Sequence, residues 1–111
     1  MTGVVERYLD ALTSHDWIGL RNCLTDDVVR IGPYSDEYRG ADDYVAFLSG
    51  LLPTLPGYSM EVARVTYVHD RGYAELAETV AGTRTDEAIV FELREGRIAR
   101  VDVYIKTVLP R

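Results

Sequence analysis

From Glu87 to Lys106 apolar and polar residues alternate almost without a break. Ile89, Phe91, Leu93, Ala99, Val101, Val103 and Ile105 share one parity, and Glu92, Arg94, Arg100, Asp102 and Lys106 share the other. Successive side chains of a pleated strand point to opposite faces, so the first set reads as the core face of two strands joined at the turn Glu95-Gly96. The same rule applied to Tyr73 to Ala81 puts Ala74, Leu76, Glu78 and Val80 on the more apolar side, and that set contains a full charge. A carboxylate on an inward face demands a partner, water or a cavity, because desolvating it alone is costly. Glu78 is therefore the first candidate for a functional residue.

Further upstream, Met60 and Val62 alternate with one parity and Val65 and Tyr67 with the other, which places a bulge near Ala63-Arg64 and bends that strand. The turns Asp70-Arg71-Gly72, Gly82 to Asp86 and Glu95-Gly96 separate four strand runs, an antiparallel meander. The first part of the chain reads as helical. Thr2 can cap a helix carrying Val5, Tyr8, Leu9 and Leu12 on one face, and Ser14-His15-Asp16 ends it. Asp16 can cap a second helix with Trp17, Leu20 and Leu24 on a shared face, reaching about Thr25 to Asp27 and carrying Cys23 as a small apolar residue. Val28 to Ile31 is a short strand closed by Gly32-Pro33. Gly40 opens a third helix, with Asp42 and Asp43 in its first turn and Tyr44, Phe47, Leu48, Leu51 and Leu52 as its buried stripe. Helices first and sheet second define an α+β class, expected as one domain over residues 1–111.

Several function classes are disfavoured by composition. A net charge of -6, with Lys106 the only lysine and no basic cluster, opposes a nucleic-acid groove. No apolar run approaches membrane-spanning length, and the charges within MTGVVERYLDAL oppose a secretory signal, so the expectation is a cytoplasmic protein with no membrane partner. A single cysteine cannot form an internal disulfide. Nothing pairs it with histidine at metal-ligand spacing, so neither a metal nor another cofactor is expected.

Three helices cannot cover every inward position of a long bent sheet, so its open end is expected to hold a pocket for a small, largely hydrophobic ligand. Tyr73, Ala77, Thr79, Ala81, Ala88, Val90 and Tyr104 fall on the opposite, convex face. These small and aromatic residues suit sheet-to-sheet pairing in a homodimer, or else form an ordinary solvated face.

The order of elements, together with VVERYLDAL, a DW turn, LTDDVV, GPY, YRGADDYVAFL and EGRIARVDVYI, resembles the NTF2-like (cystatin-like) superfamily, in particular its SnoaL-like members. That resemblance covers nearly the whole chain and implies a cone-shaped fold of three N-terminal helices packed on a strongly bent antiparallel sheet. Relatives include ketosteroid isomerases, limonene epoxide hydrolases, polyketide cyclases and non-catalytic domains, so the fold alone names no reaction. Ketosteroid isomerase uses an aspartate base and an oxyanion hole of a tyrosine and a protonated aspartate. Counted from Tyr8, which matches the tyrosine, the base position falls on Gly32 and the oxyanion aspartate on Ile89, neither of which moves protons. Cyclases and epoxide hydrolases of that superfamily place an acid inward on the last strand, but Val101 and Val103 claim that face here and turn Asp102 to the convex side unless a bulge intervenes. Arg84 and Asp86, in a turn, substitute poorly for the epoxide hydrolase arginine and aspartate.

Two readings of function stay open. In one, Glu78 is a general acid or base, its pKa raised by desolvation, with Tyr8 or Tyr34 as an assisting donor in cofactor-free isomerase, cyclase, lyase or hydrolase chemistry. In the other, the chain is a non-catalytic ligand-binding or dimerisation domain. Either Val29 and Ile31 face the core, or Val28, Arg30 and Gly32 do; the resemblance favours the second, which would let Arg30 pair with Glu78. Tyr34, Asp36 and Tyr38 sit on the loop at the expected pocket mouth. Trp17, Phe47, Met60, Leu76, Ile89, Phe91, Val101 and Val103 complete the expected lining, whereas His15 and His69 fall in turns and are expected to be exposed.

Overall fold

The computed structural model describes residues 3–106. Helix α1 (Val4–Thr13) buries Val4, Val5, Tyr8, Leu9, Ala11 and Leu12. Its N-cap is Gly3, which offers no side chain, and the expected cap Thr2 lies outside the described residues. The orphan Val5 N–H instead donates to the Tyr67 hydroxyl at 3.0 Å, and that hydroxyl donates to Glu6. After a turn with His15 in the left-handed region (φ 57°), Asp16 caps α2 (Trp17–Asn22) by accepting from the Gly19 N–H at 2.9 Å.

Helix α2 stops earlier than its pattern suggests. Strand β1 runs Leu24–Ile31, so Leu24 is a fully buried strand residue and Cys23 is the buried helix cap. Long-range pairing overrides the local helical spacing here: Leu24 lies beside Ile98, whose N–H donates to the Cys23 carbonyl at 2.8 Å. Strand β2 (Glu37–Arg39) pairs antiparallel with β1 and is followed by α3 (Ala41–Leu51) and a turn of 3-10 helix, Leu52–Thr54. Helices and strands therefore interleave before the meander. Gly40 enters α3 at φ 89°, a conformation glycine adopts without strain. On α3, Ala41, Tyr44 and Leu48 are buried, while Leu51 turns to solvent. Arg21 bonds Asp26 at 3.0 Å and Asp42 at 3.1 Å, tying α2, β1 and α3 together.

Strands β3 (Ser59–Val68), β4 (Arg71–Val80), β5 (Thr83–Arg94) and β6 (Arg97–Ile105) form the expected meander. The six-stranded order is β2-β1-β6-β5-β4-β3, and β1 lies parallel to β6, so the sheet is mixed rather than wholly antiparallel. Its curvature has local causes. In β3 the register passes from Val62 opposite Leu76 to Arg64 opposite Glu75, leaving Ala63 as the bulge. A second irregularity, absent from the sequence reading, sits where Glu92 faces Arg100 but Leu93 faces Ile98. Ala99 is the extra residue, so Ile98 and Val101 both enter the core and Ala99 is only half-buried. Helices α1 and α3 cover the concave face. Gly72 makes the approach of α1 close, since a Cβ there would lie 2.7 Å from a Val5 methyl.

Candidate functional site

Five elements send polar side chains into one hollow between helices and sheet. Arg30 comes from β1, Glu78 from β4, Glu87 from β5, Tyr8 from α1 and Tyr44 from α3. With Leu9, Leu12, Leu48, Met60, Ile89, Val101 and Val103 they line a cavity of about 60 Å³. Parity explains the strand contributions. Arg30 follows Val28, which is fully buried, on the inward set of β1. Glu78 follows Ala74 and Leu76 on β4, and Glu87 shares its side of β5 with Ile89 and Phe91. Because Glu78 lies opposite Thr85 and Leu76 opposite Glu87, the two acids are diagonal neighbours on one face.

The two carboxyls lie side by side on the cavity wall. Glu87 is pushed up from 4.5 to about 9, first by burial and then by the neighbouring Glu78 carboxyl, with Arg30 acting the other way. At neutral pH Glu87 is thus a carboxylic acid beside Glu78. Glu78 also accepts from the Tyr58 hydroxyl at the start of the meander. Burial, reinforced by that bond, raises the Tyr58 pKa. On the helix side the hydroxyls of Tyr8 and Tyr44 are hydrogen-bonded together, and Tyr8 meets Phe91 edge-on at 5.6 Å between ring centres. Burial is the main cause that raises both tyrosine pKa values, so each remains a neutral donor.

Arg30 takes a different partner from the one expected. It bonds Asp36 at 2.9 Å and lies over the Phe47 ring, 5.3 Å from its centre. Its Nε is buried and has no hydrogen-bond partner among the described residues. Phe47 stacks on Tyr38 at 4.1 Å, so Asp36, Phe47 and Tyr38 build the support behind Arg30 rather than the cavity wall.

Glu78, Tyr8, Arg30, Met60, Ile89, Val101 and Val103 meet at the cavity. Others expected there do not. Tyr34 is 82% exposed on its loop, and Trp17 stacks on His15 at the α1–α2 turn. Phe91 is fully buried behind Tyr8, and Leu76 is buried in the core. Asp102 is on the convex side, bonded to Arg100 at 2.9 Å and 3.2 Å. The sequence reading missed Glu87, Tyr44 and Tyr58. Glu87 is recoverable, since it shares the parity of Ile89 and Phe91; the helical spacing of Tyr44 marks only packing, and no periodicity marks Tyr58.

A larger hollow, of about 440 Å³, crosses the convex face between Glu61, Ala77, Arg84, Asp86, Tyr104 and Lys106. Glu87 also borders this hollow, and two of its acids are ion-paired, Asp86 with Arg84 at 3.2 Å and Glu75 with Arg64 at 2.6 Å. Among the described residues, no cluster of His, Cys, Asp and Glu could hold a metal ion, and no helix is long and apolar enough to cross a membrane.

A curved mixed sheet whose concave face, under three helices, holds a small polar-lined cavity defines an NTF2-like α+β protein. The chain belongs to the SnoaL-like domain family, whose model matches residues 5–101. Solved structures of the same fold include a candidate ketosteroid isomerase from Kribbella flavida DSM 17836, with 21% identity over 97% of this chain and 78% of that one, and a TM-score of 0.86. An LEH-like epoxide hydrolase of M. tuberculosis is 23% identical over 93% of this chain and 80% of that one, with a TM-score of 0.78. A candidate SnoaL-like polyketide cyclase from Shewanella putrefaciens CN-32 is 14% identical over 92% and 77%, with a TM-score of 0.80. At such identities the likeness establishes the fold alone. No curated protein matches the sequence.

Proposed function

We propose that the cavity is the site of a cofactor-free acid/base enzyme acting on a small oxygen-bearing organic molecule, with Glu78 as base and Glu87 as acid. The observation that carries this reading is the convergence of Glu78 and Glu87 on one cavity wall, where burial and the neighbouring carboxyl raise the Glu87 pKa so that it keeps its proton at neutral pH. A paired acid and base of this kind can take a proton from one atom of a bound molecule and return one to another. Tyr8, Tyr44 and the Nε–H of Arg30 supply donors for a substrate oxygen on which negative charge develops. The reaction is therefore of the isomerase, cyclase, lyase or hydrolase type. A cavity of about 60 Å³ admits only a few heavy atoms, so a larger substrate would insert its reacting end.

The test is turnover with product analysis over a panel of small ketones, enones and epoxides. Glu78→Gln and Glu87→Gln should each lower kcat by about 10²–10⁴-fold while the fold is retained. Unchanged turnover in both variants would remove the assignment.

A second reading, a binding or dimerisation domain, draws on the glycine at position 32 and the modest cavity. Ligand-dependent stabilisation without product would favour it. In either case the chain is read as one domain that pairs with a second copy through the convex face around Tyr73, Ala77, Ala88 and Tyr104. Tyr73 and Tyr104 are exposed there, at 37% and 59%. The lone buried Cys23 suits a cytoplasmic, reducing setting.

A further inference from the structure

Position 32 has no room for a side chain. A Cβ there would lie 2.2 Å from Asp36 Oδ1 and 2.5 Å from Oδ2, so the Asp36 carboxylate occupies the space that a residue at 32 would otherwise fill. The loop is wound to put it there. Gly32 N–H donates to the Asp36 carbonyl at 2.7 Å, Ser35 N–H donates to the Gly32 carbonyl at 3.0 Å, and Ser35 adopts φ 63°. From this seat Asp36 bonds the terminal nitrogen of Arg30 at 2.9 Å, while Phe47 lies against the guanidinium face. Arg30 makes no ion pair with Glu78 or Glu87, although all three line one cavity.

We propose that Asp36, seated in the space left open by Gly32, is a positioning residue that holds Arg30 off the Glu78–Glu87 pair. A guanidinium beside three carboxyl groups bonds whichever is nearest and best aligned. The short loop makes Asp36 that group and leaves the proton on Glu87. Loosened from Asp36, Arg30 would pair with the two glutamates, and the site would lose its carboxylic acid. This inference rests on the acid/base reading of the pair, but its test needs no substrate.

The experiment follows the Glu87 carboxyl carbon through a pH titration by NMR, together with the Arg30 Nε–H resonance, which Arg30→Lys identifies by its loss. Asp36→Asn and Gly32→Ala should each lower the Glu87 midpoint by about 1–3 pH units, the range for a cation moving next to a carboxyl, and shift the Arg30 resonance. Gly32→Ala is the stricter variant, since it keeps the Asp36 charge and only displaces it. An unmoved midpoint and an unmoved Arg30 resonance in Gly32→Ala would overturn the proposal. If that variant fails to fold, an unmoved Arg30 resonance in Asp36→Asn overturns it instead. A wild-type Glu87 that titrates like an ordinary carboxyl would count against the acid/base reading, while the Arg30 resonance would still decide the positioning role.

Discussion

The two ends of the concave sheet face are built from the same strands and serve opposite purposes. At the closed end the inward residues are Gly72 and Ala74 on β4, Phe91 on β5, Ile98 on β6, and Leu24 and Val28 on β1, all buried. A few residues further along, the same inward parity delivers Glu78, Glu87 and Arg30. The closed end gains stability from apolar burial. The open end gives some of that stability up to hold two acids, a cation and paired tyrosines where one carboxyl stays protonated.

The contrast predicts unequal responses to mutation. Phe91→Ala, at the closed end and fully buried against Tyr8, should cost about 3–5 kcal/mol in denaturant unfolding, because it removes a ring and leaves a void. A loss under ~1 kcal/mol would mean that the closed end is not packed as described.

At the open end the expected effect is smaller and opposite in sign. The folded-state pKa of Glu87 lies above its unfolded value, so its contribution is fully present below pH 4.5 and is lost as pH rises toward about 9. Glu87→Gln cannot ionise and should escape that loss. Because the group is only partly buried, solvent screening reduces the gain to about 1 kcal/mol near pH 8.5, or ~4–8 °C in Tm. A thermal melt series from pH 5 to 9 checks it. Equal pH slopes for wild type and variant would contradict the charge arrangement.

Away from both ends the effects should shrink further. Asp16→Ala removes the cap of α2 and should cost about 1 kcal/mol by urea unfolding. Arg84→Ala breaks an exposed pair and should change stability by less than ~0.5 kcal/mol.

The closed end and much of the open end could be read from residue order, since strand parity is a local property. It places Glu78 inward, Asp102 outward and a bulge at Ala63. The misreadings have long-range causes. Leu24 has helical spacing but joins the sheet because Ile98 is beside it. Ala99 leaves the core face because the β5–β6 register slips at Leu93. Asp36 reaches Arg30 only through a loop conformation that depends on Gly32, and no pattern in the sequence encodes that contact. Glu87 was legible by parity, yet it attracts notice only when its neighbour across the strands is also an acid.

Carbon NMR titration of Glu87 in the wild-type protein tests most directly whether one carboxyl of the pair remains protonated at neutral pH. A midpoint near 9 is the expected result. A midpoint at the ordinary carboxyl value of 4.5 would contradict the account and leave the cavity without its acid.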